Sequence, residues 1–395
     1  MSAYRYAVLG CGRQGLASAY DLARFGNSDA LLLIDADRAR AERAASWLNA
    51  HLGESNLALT PMPIDGSDPV ALTRALEGCD AAVSALPYQL NLIALKACLE
   101  ARTHFCDMGG HTGILLQQLA LDAHAKTASI AAVPDCGQAP GMATSLMVLA
   151  LRSIDQPEWM EVWDAGLPLE PQPPLGYRLL FSVQGLTNEY DGPCRNIRDG
   201  QVVELASLSE RQRVEFPAPF GTLEAFCASG TASTFPDSFA GAPLQRFTSR
   251  IMRYPGHLDA ILLLKELGFF SEETVLINDL PVVPRRVTES LLERALDPGE
   301  NPVRDAVLVR IHVGGRHDGI ETTVAFDCQV HFDPHTDLTA MQRCTGFDAA
   351  IVAAMLARGE VAPGVHKREL AIDPFRYRDE LTKRDIVVTQ RSIAT

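Results

Sequence analysis

Residues 10–15 read Gly10-Cys11-Gly12-Arg13-Gln14-Gly15 and join an apolar run, Tyr6–Leu9, to a helical pattern, Gln14–Phe25. In a strand–turn–helix unit of this kind the first glycine permits the tight turn. The second lets the backbone approach a pyrophosphate, and the third lets helix and strand pack closely. The helix end then presents free N–H groups and a positive dipole to an anion. Asp35 closes the next apolar run, twenty positions beyond Gly15. An acid there accepts the adenosine ribose 2′-hydroxyl and repels a 2′-phosphate. Gly10, Gly12, Arg13, Gln14, Gly15 and Asp35 therefore predict a dinucleotide-binding Rossmann domain that prefers NAD to NADP. Arg13 and Arg38 are the cations that would meet a 2′-phosphate if NADP were used instead.

The pattern that follows has the period of a doubly wound sheet. Strands are expected at Tyr6–Leu9, Leu31–Asp35, Leu57–Ile64, Ala81–Leu86, His104–Asp107 and Ser129–Val133. Helices are expected between them at Gln14–Phe25, Arg38–Leu52, Pro69–Glu77, Asn91–Ala101 and Thr112–Thr127. Alternation at this spacing implies an α/β fold with a parallel sheet and right-handed crossovers. Asp37 is placed to cap the helix from Arg38. Asp65 ends the third strand, either beside the adenine or as the cap of the next helix. Ala85, Leu86 and Pro87 leave the fourth strand where ribose and nicotinamide lie in such folds.

Beyond residue 134 the texture changes. Gly166–Gly176 reads GLPLEPQPPLG, a proline-rich connection that disfavours helix. Aromatic and β-branched runs at Tyr177–Val183, Val202–Leu205, Val214–Phe216, Val307–Val313 and Thr322–Phe332, with a helix near Asp259–Leu267, predict a second, mixed α+β domain. The expected division is 1–134, 135–340, and 341–395 as a segment with a final helix at Gly346–Arg358.

The chain has 395 residues and a formal net charge of −14, which argues against nucleic acid and anionic membrane as partners. No run of about 18 apolar residues predicts a membrane span. The N-terminus reads as a first strand rather than a signal peptide. The nine dispersed cysteines form no zinc spacing, so no metal is expected, and they fit reduced thiols in a cytoplasm.

Two stiff segments leave the sheet at its ligand edge: His104-Phe105-Cys106-Asp107-Met108-Gly109-Gly110 and Pro134-Asp135-Cys136-Gly137-Gln138-Ala139-Pro140-Gly141. Functional loops are often held on rigid scaffolds in this way. With GCGRQG and Asp35 they carry a resemblance that continues through Gly166–Tyr190, FGTLEAF, TFP, Arg253–Gly268 and TGFDAAIVAAMLARG. Across nearly its whole length the chain resembles the saccharopine dehydrogenase family. The resemblance implies an NAD-linked dehydrogenase acting on a small amino-acid substrate at a carbon bearing nitrogen, with oxidation of the ε-carbon of L-lysine as the favoured reaction. It implies that the C-terminal segment packs back onto the Rossmann domain. With the sheet-rich second domain, it also implies a homodimer or higher homo-oligomer.

That chemistry needs a neutral amine. A lysine ε-ammonium has a pKa of about 10.4, so the protein must take its proton or depress its pKa. A histidine near 6.5 suits that task at neutral pH better than an aspartate near 3.9. His257 is therefore the expected proton-transfer residue, with Asp135 holding the amine or orienting water and Asp107 as a third acid. Arg253 and Arg178 are expected to bind the substrate carboxylate. Tyr177, Asn188 and Glu189 are expected on strands lining the pocket. An opine-type oxidoreductase acting on a secondary amine is the alternative within the family, with Arg246, Arg250 and Arg253 meeting two carboxylate-bearing halves. A dinucleotide sensor without turnover is the alternative outside it.

Overall fold

The computed structural model describes residues 3–53, 56–299 and 303–393. The chain divides into two units. One comprises Met1–Val148 with Gln342–Asp385, and the other Leu149–Met341 with Ile386–Thr395. The first unit thus reaches past the expected limit at 134, because the chain crosses over within the apolar helix Met142–Leu151. The last ten residues belong to the second unit, where Val388–Ile393 pairs with Ile320–His331.

The first unit is built on parallel strands β1 (Tyr4–Leu9), β2 (Ser28–Asp35), β3 (Ala58–Pro63), β4 (Ala81–Ser84), β5 (His104–Asp107) and β6 (Ala131–Val133). A short strand from the returning segment, Gly364–Val365, adds a seventh, giving the order Gly364–Val365, β6, β5, β4, β1, β2, β3. The order reverses between β1 and β4, which places a ligand site beyond their C-terminal ends. Helices cover both faces, so Tyr6, Ala7, Val8 and Leu9 are all fully buried. Leu9, Ile34, Leu95 and Phe105 share one of the resulting cores.

Helix α1 (Arg13–Phe25) follows the glycine loop, and α2 (Arg38–Leu52) is capped by the Asp37 carboxylate, which accepts from the Ala39 and Arg40 N–H groups. The helix expected over Thr112–Thr127 is broken into Thr112–Leu119 and Asp122–Ala128. The break sets Asp122 at a helix start, where it accepts the Val365 N–H at 3.1 Å and so fixes the seventh strand.

The returning segment docks on the cofactor half through small and paired groups. Gly346 of the helix Ala340–Ala357 lies so close to α1 that a Cβ there would stand 2.5 Å from the Ala17 Cβ. The Ser18 hydroxyl donates to the Gly346 carbonyl at 2.8 Å. Arg384 forks onto Asp21 at 2.6 and 2.7 Å; Arg368 forks onto Asp348 within the returning segment at 2.9 and 2.6 Å and also donates to the Ser145 hydroxyl at 3.1 Å. All four charged side chains are buried. Removing one partner of such a pair strands the other charge and is strongly destabilising.

The second unit carries a nine-stranded mixed sheet. Its long members Gln156–Pro168, Asp305–His317 and Ile320–His331 are antiparallel, while Arg246–Arg253 runs parallel to Gln156–Pro168. Along Arg246–Arg253 alternate side chains take opposite faces. Ile251 joins Tyr177, Leu258 and Ile261 on the helical side, and Met252 joins Trp163 and Leu308 on the other. The strand expected at Tyr177–Val183 is absent. Ser182 instead caps a helix, Val183–Glu189, by accepting the Gly185 N–H, so Asn188 and Glu189 stand on a helix. Among the described residues no helix is long and apolar enough to cross a membrane.

Candidate functional site

The glycine loop has the geometry its sequence requires. Gly10 has φ +91°, and a Cβ on it would stand 2.7 Å from the Ala85 carbonyl oxygen. A Cβ on Gly15 would fall 1.7 Å from the Gly10 oxygen, so strand and helix could not approach. Around Gly12 the result is the opposite: a Cβ there meets nothing within 4 Å. Gly12 is also the N-cap of α1, makes no side-chain cap bond, and is followed by no acid in the first turn. The open side of Gly12 and the uncompensated helix end suit a pyrophosphate. Arg13 is exposed and Gln14 half-buried beside it.

Asp35 is seated on this loop. One carboxylate oxygen accepts the Cys11 N–H at 2.8 Å and the other accepts the Asp37 N–H at 2.9 Å. Arg40 donates to the same carboxylate at 3.2 Å. Arg40 is the residue that sequence reading missed, although its position in the first turn of α2 was a usable signal. Arg38 points elsewhere, toward Glu42 at 3.8 Å. Asp65 is exposed and closes its own turn by accepting from the Ser67 N–H and hydroxyl, each at 2.8 Å. The capping alternative for Asp65 is not realised, since Asp68 caps the next helix. Leu86 lies over Gly66, where a Cβ would come within 2.8 Å of it; Ala85 and Pro87 flank it at the end of β4.

Asp107 is fully buried and serves as a latch between the exits of β5 and β6. It accepts from Gly109 N–H at 2.7 Å, Gln118 Nε2 at 2.6 Å and Asp135 N–H at 3.3 Å. Burial raises its pKa against the pull of these donors. Asp135 follows it at φ +60°, and a Cβ on Gly109 would come 2.4 Å from its Oδ1. Gly109 and Asp135 are thus fitted to each other. The loop after Asp135 is closed by Gly137, whose N–H donates to the Pro140 carbonyl at 3.0 Å.

In the second unit His257, Tyr190, Arg253 and Tyr177 form one buried cluster, with the partly exposed Glu189 at its side. The His257 Nδ1 lies 3.0 Å from the Leu175 carbonyl, which can only accept, so Nδ1 carries the proton. Nε2 must then accept the Tyr190 hydroxyl at 2.8 Å, and Arg253 Nε donates to that hydroxyl at 3.4 Å. Burial, reinforced by the Arg253 charge, pushes the His257 pKa down to about 3. This corrects the expectation of a base near 6.5: the ring is neutral, enclosed and committed on both nitrogens.

Arg253 is likewise committed. It donates to Glu189 at 2.6 Å and to the Met252 carbonyl at 3.0 Å, with its guanidinium 5.1 Å from the Tyr177 ring centre. The expected free partner for a substrate carboxylate is therefore an internal ion pair. Burial outweighs Arg253 at Glu189 and lifts that carboxyl to about 7. Tyr177 is fully buried, and its hydroxyl has no hydrogen-bond partner among the described residues. Arg178 bonds the Pro173 and Tyr177 carbonyls, and Asn188 accepts from Arg285 at 2.5 Å.

Parallel strand order, glycine loop and seated acid define a dinucleotide-binding protein of two units. Residues 6–133 match the model of the saccharopine dehydrogenase NADP binding domain, and residues 137–387 that of the saccharopine dehydrogenase C-terminal domain. The chain belongs to the saccharopine dehydrogenase family. It is 21% identical over 222 residues to the saccharopine dehydrogenase (NADP(+), L-glutamate-forming) of Pyricularia oryzae. That match takes in 54% of this chain and 48% of the relative, so it spans about half the relative's length. The fold is shared with the saccharopine dehydrogenase (L-Glu forming) of Saccharomyces cerevisiae, at 16% identity and a TM-score of 0.77 over 99% of this chain and 100% of that one.

Proposed function

We propose that the protein is an NAD-dependent dehydrogenase that oxidatively deaminates an amino acid, with L-lysine at its ε-carbon as the substrate, as in lysine 6-dehydrogenase. Family membership supports oxidation at a nitrogen-bearing carbon. The observation that carries the cofactor reading is Asp35, a carboxylate held on the glycine loop at 2.8 Å from the Cys11 N–H. The family model and the Pyricularia relative bear NADP in their names, and Arg40 is at hand, so NAD rests on that acid alone. Gly10, Gly12, Gly15 and Asp35 would hold the dinucleotide, which when bound supplies the hydride acceptor.

The choice of a simple amine over a two-part opine substrate rests on the cations. An opine presents carboxylates on both halves, and Arg246, Arg250 and Arg253 were the residues to meet them. Arg250 and Arg253 fall on opposite faces of one strand, by the alternation that separates Met252 from Ile251. Arg253 is held by Glu189, Arg250 by Glu210 at 3.1 Å, and Arg246 stacks 5.4 Å from the Trp159 ring centre. They do not form one cationic pocket.

A proton acceptor matched to neutral pH is required, and in this reading it is Glu189, near 7, instead of His257. The Tyr177 hydroxyl, buried without a partner among the described residues, is a second polar group in the same cluster. A substrate panel tests the reading: L-lysine with NAD is expected to give NADH and ammonia together. Turnover confined to saccharopine or another secondary amine would replace it with the opine alternative.

A further inference from the structure

Two of the nine cysteines meet at a joint in the sheet of the second unit. Pro193–Arg198 and Gly221–Phe226 are both antiparallel to Arg246–Arg253, with Ile197 opposite Phe247 and Phe226 opposite Ile251. Counted along each strand from those pairs, Cys194 and Cys227 reach the same level, that of Arg250. Gln156–Pro168 occupies the other edge of Arg246–Arg253, so the two strands run end to end along the edge that is left. Each brings a cysteine to the joint, and the Cys194 thiol donates to the Cys227 sulfur across it. Asn196 closes the gap: its Oδ1 accepts the Ser249 N–H at 3.0 Å and its Nδ2 lies 3.9 Å from the Cys227 sulfur. Both thiols are buried, but Cys227 also lies 3.9 Å from a carboxylate oxygen of Glu210, an exposed residue. The bond from Cys194 lowers the pKa of Cys227 and Arg250 adds to it, against burial and the Glu210 charge. The thiolate is the form that attacks an oxidant.

We infer that Cys194 and Cys227 form a reversible disulfide that controls the seat of Glu189. The oxidant is a peroxide. The Cys227 thiolate attacks one peroxide oxygen and the O–O bond breaks. A sulfenic acid forms, and the other oxygen leaves as hydroxide and takes up the proton that the thiol released. The Cys194 sulfur then attacks the Cys227 sulfur, the S–O bond breaks, and the hydroxyl leaves as water with the Cys194 proton. Two thiols have lost two electrons, and one hydrogen peroxide has become two waters. The link to Glu189 runs through the backbone. Cys227 is tied at both ends to the turn before it, donating to the Ser209 carbonyl at 3.0 Å and accepting the Leu208 N–H at 2.8 Å. Two residues on, the Ser229 N–H donates to the Glu189 carbonyl at 2.9 Å. Bonded sulfurs stand about 2.05 Å apart, well inside hydrogen-bond contact, so closure pulls on Cys227 and through Ser229 on Glu189. The effect on turnover rests on the reading of Glu189 as proton acceptor; the disulfide itself does not.

Thiol mapping on the full chain tests this without any substrate. The folded protein is treated with hydrogen peroxide, then denatured, alkylated and digested without reductant. The number of alkylated thiols should fall by two from nine, with the Cys194 and Cys227 peptides joined, and dithiothreitol should restore all nine. In Cys194→Ser the reaction should stop at the Cys227 sulfenic acid, which dimedone captures. Turnover of L-lysine with NAD is then read on the same samples. Oxidised wild type should lose about tenfold or more in kcat and regain it with dithiothreitol, the scale of a small displacement of a reacting group. The double variant Cys194→Ser, Cys227→Ser should keep its turnover under the same peroxide. Nine alkylated thiols after peroxide, or a disulfide between other cysteines only, would overturn the pairing. A mapped Cys194–Cys227 disulfide with unchanged kcat would overturn its hold on Glu189.

Discussion

The Nε2 of His257 accepts the Tyr190 hydroxyl at 2.8 Å while its Nδ1 donates to the Leu175 carbonyl, and this holds the ring neutral. His257→Gln should therefore lower turnover only through displacement of Tyr190. The acidic limb of the pH–rate profile should keep its midpoint, read from kcat/KM between pH 5 and 9. A limb that disappears in this variant would return His257 to the proton path.

The same burial makes a stability prediction. Unfolded, His257 takes its proton near 6.5; folded, only near 3. Between those values the unfolded chain binds a proton that the folded chain refuses, so stability falls as pH drops through the window. His257→Gln should remove up to one proton from the slope of unfolding free energy against pH, measured by urea titrations between pH 4 and 7.

Glu189 carries the opposite expectation. With a carboxyl near 7, its basic form grows as pH rises through neutrality. Glu189→Gln should cut kcat by about 100-fold and abolish the limb near 7, the usual scale for losing a general base. If only KM rises and the limb persists, Glu189 positions Arg253 and takes no proton.

The two inner glycines should fail differently. Gly12→Ala places a methyl in open space, so the melting temperature should stay within about 2 °C while NAD binding weakens at least tenfold. Gly15→Ala drives a Cβ to 1.7 Å from the Gly10 oxygen and should lower the melting temperature by at least about 5 °C. Calorimetry with a dinucleotide titration separates the two.

Much of the first unit was legible because its signals are local. A strand buried on both faces reads as an apolar run, a glycine turn reads as spacing, and β5 and the α2 boundaries fall where the sequence places them. The second unit was harder for a physical reason. Tyr177–Val183 has strand-like residues, but the Ser182 cap and the packing of Tyr177 under Arg253 make it a loop and a helix start. The pKa of His257 was not legible, because a reference value says nothing of a ring enclosed by Tyr177, Tyr190 and Arg253. Whether an arginine is free or internally paired depends on a partner 64 residues away, as with Arg253 and Glu189, and no local pattern carries that.

Cofactor choice turns on Asp35 against Arg40. Asp35→Asn removes the charge that repels a 2′-phosphate while leaving the cation. It should lower kcat/KM for NAD by about 10- to 100-fold and raise it for NADP, shifting the ratio by 1.4 kcal/mol or more in transition-state terms. An unchanged ratio would mean that Asp35 only braces the loop.

The central claim, NAD-dependent deamination at an amine-bearing carbon, is tested most directly by incubating the purified chain with L-lysine and NAD. NADH and ammonia should be measured in the same sample. Equal amounts of the two, with NADP at least tenfold less effective, are the predicted result. Tight NAD binding with neither product from lysine or any primary-amine substrate, or NADH formed without ammonia, would contradict it.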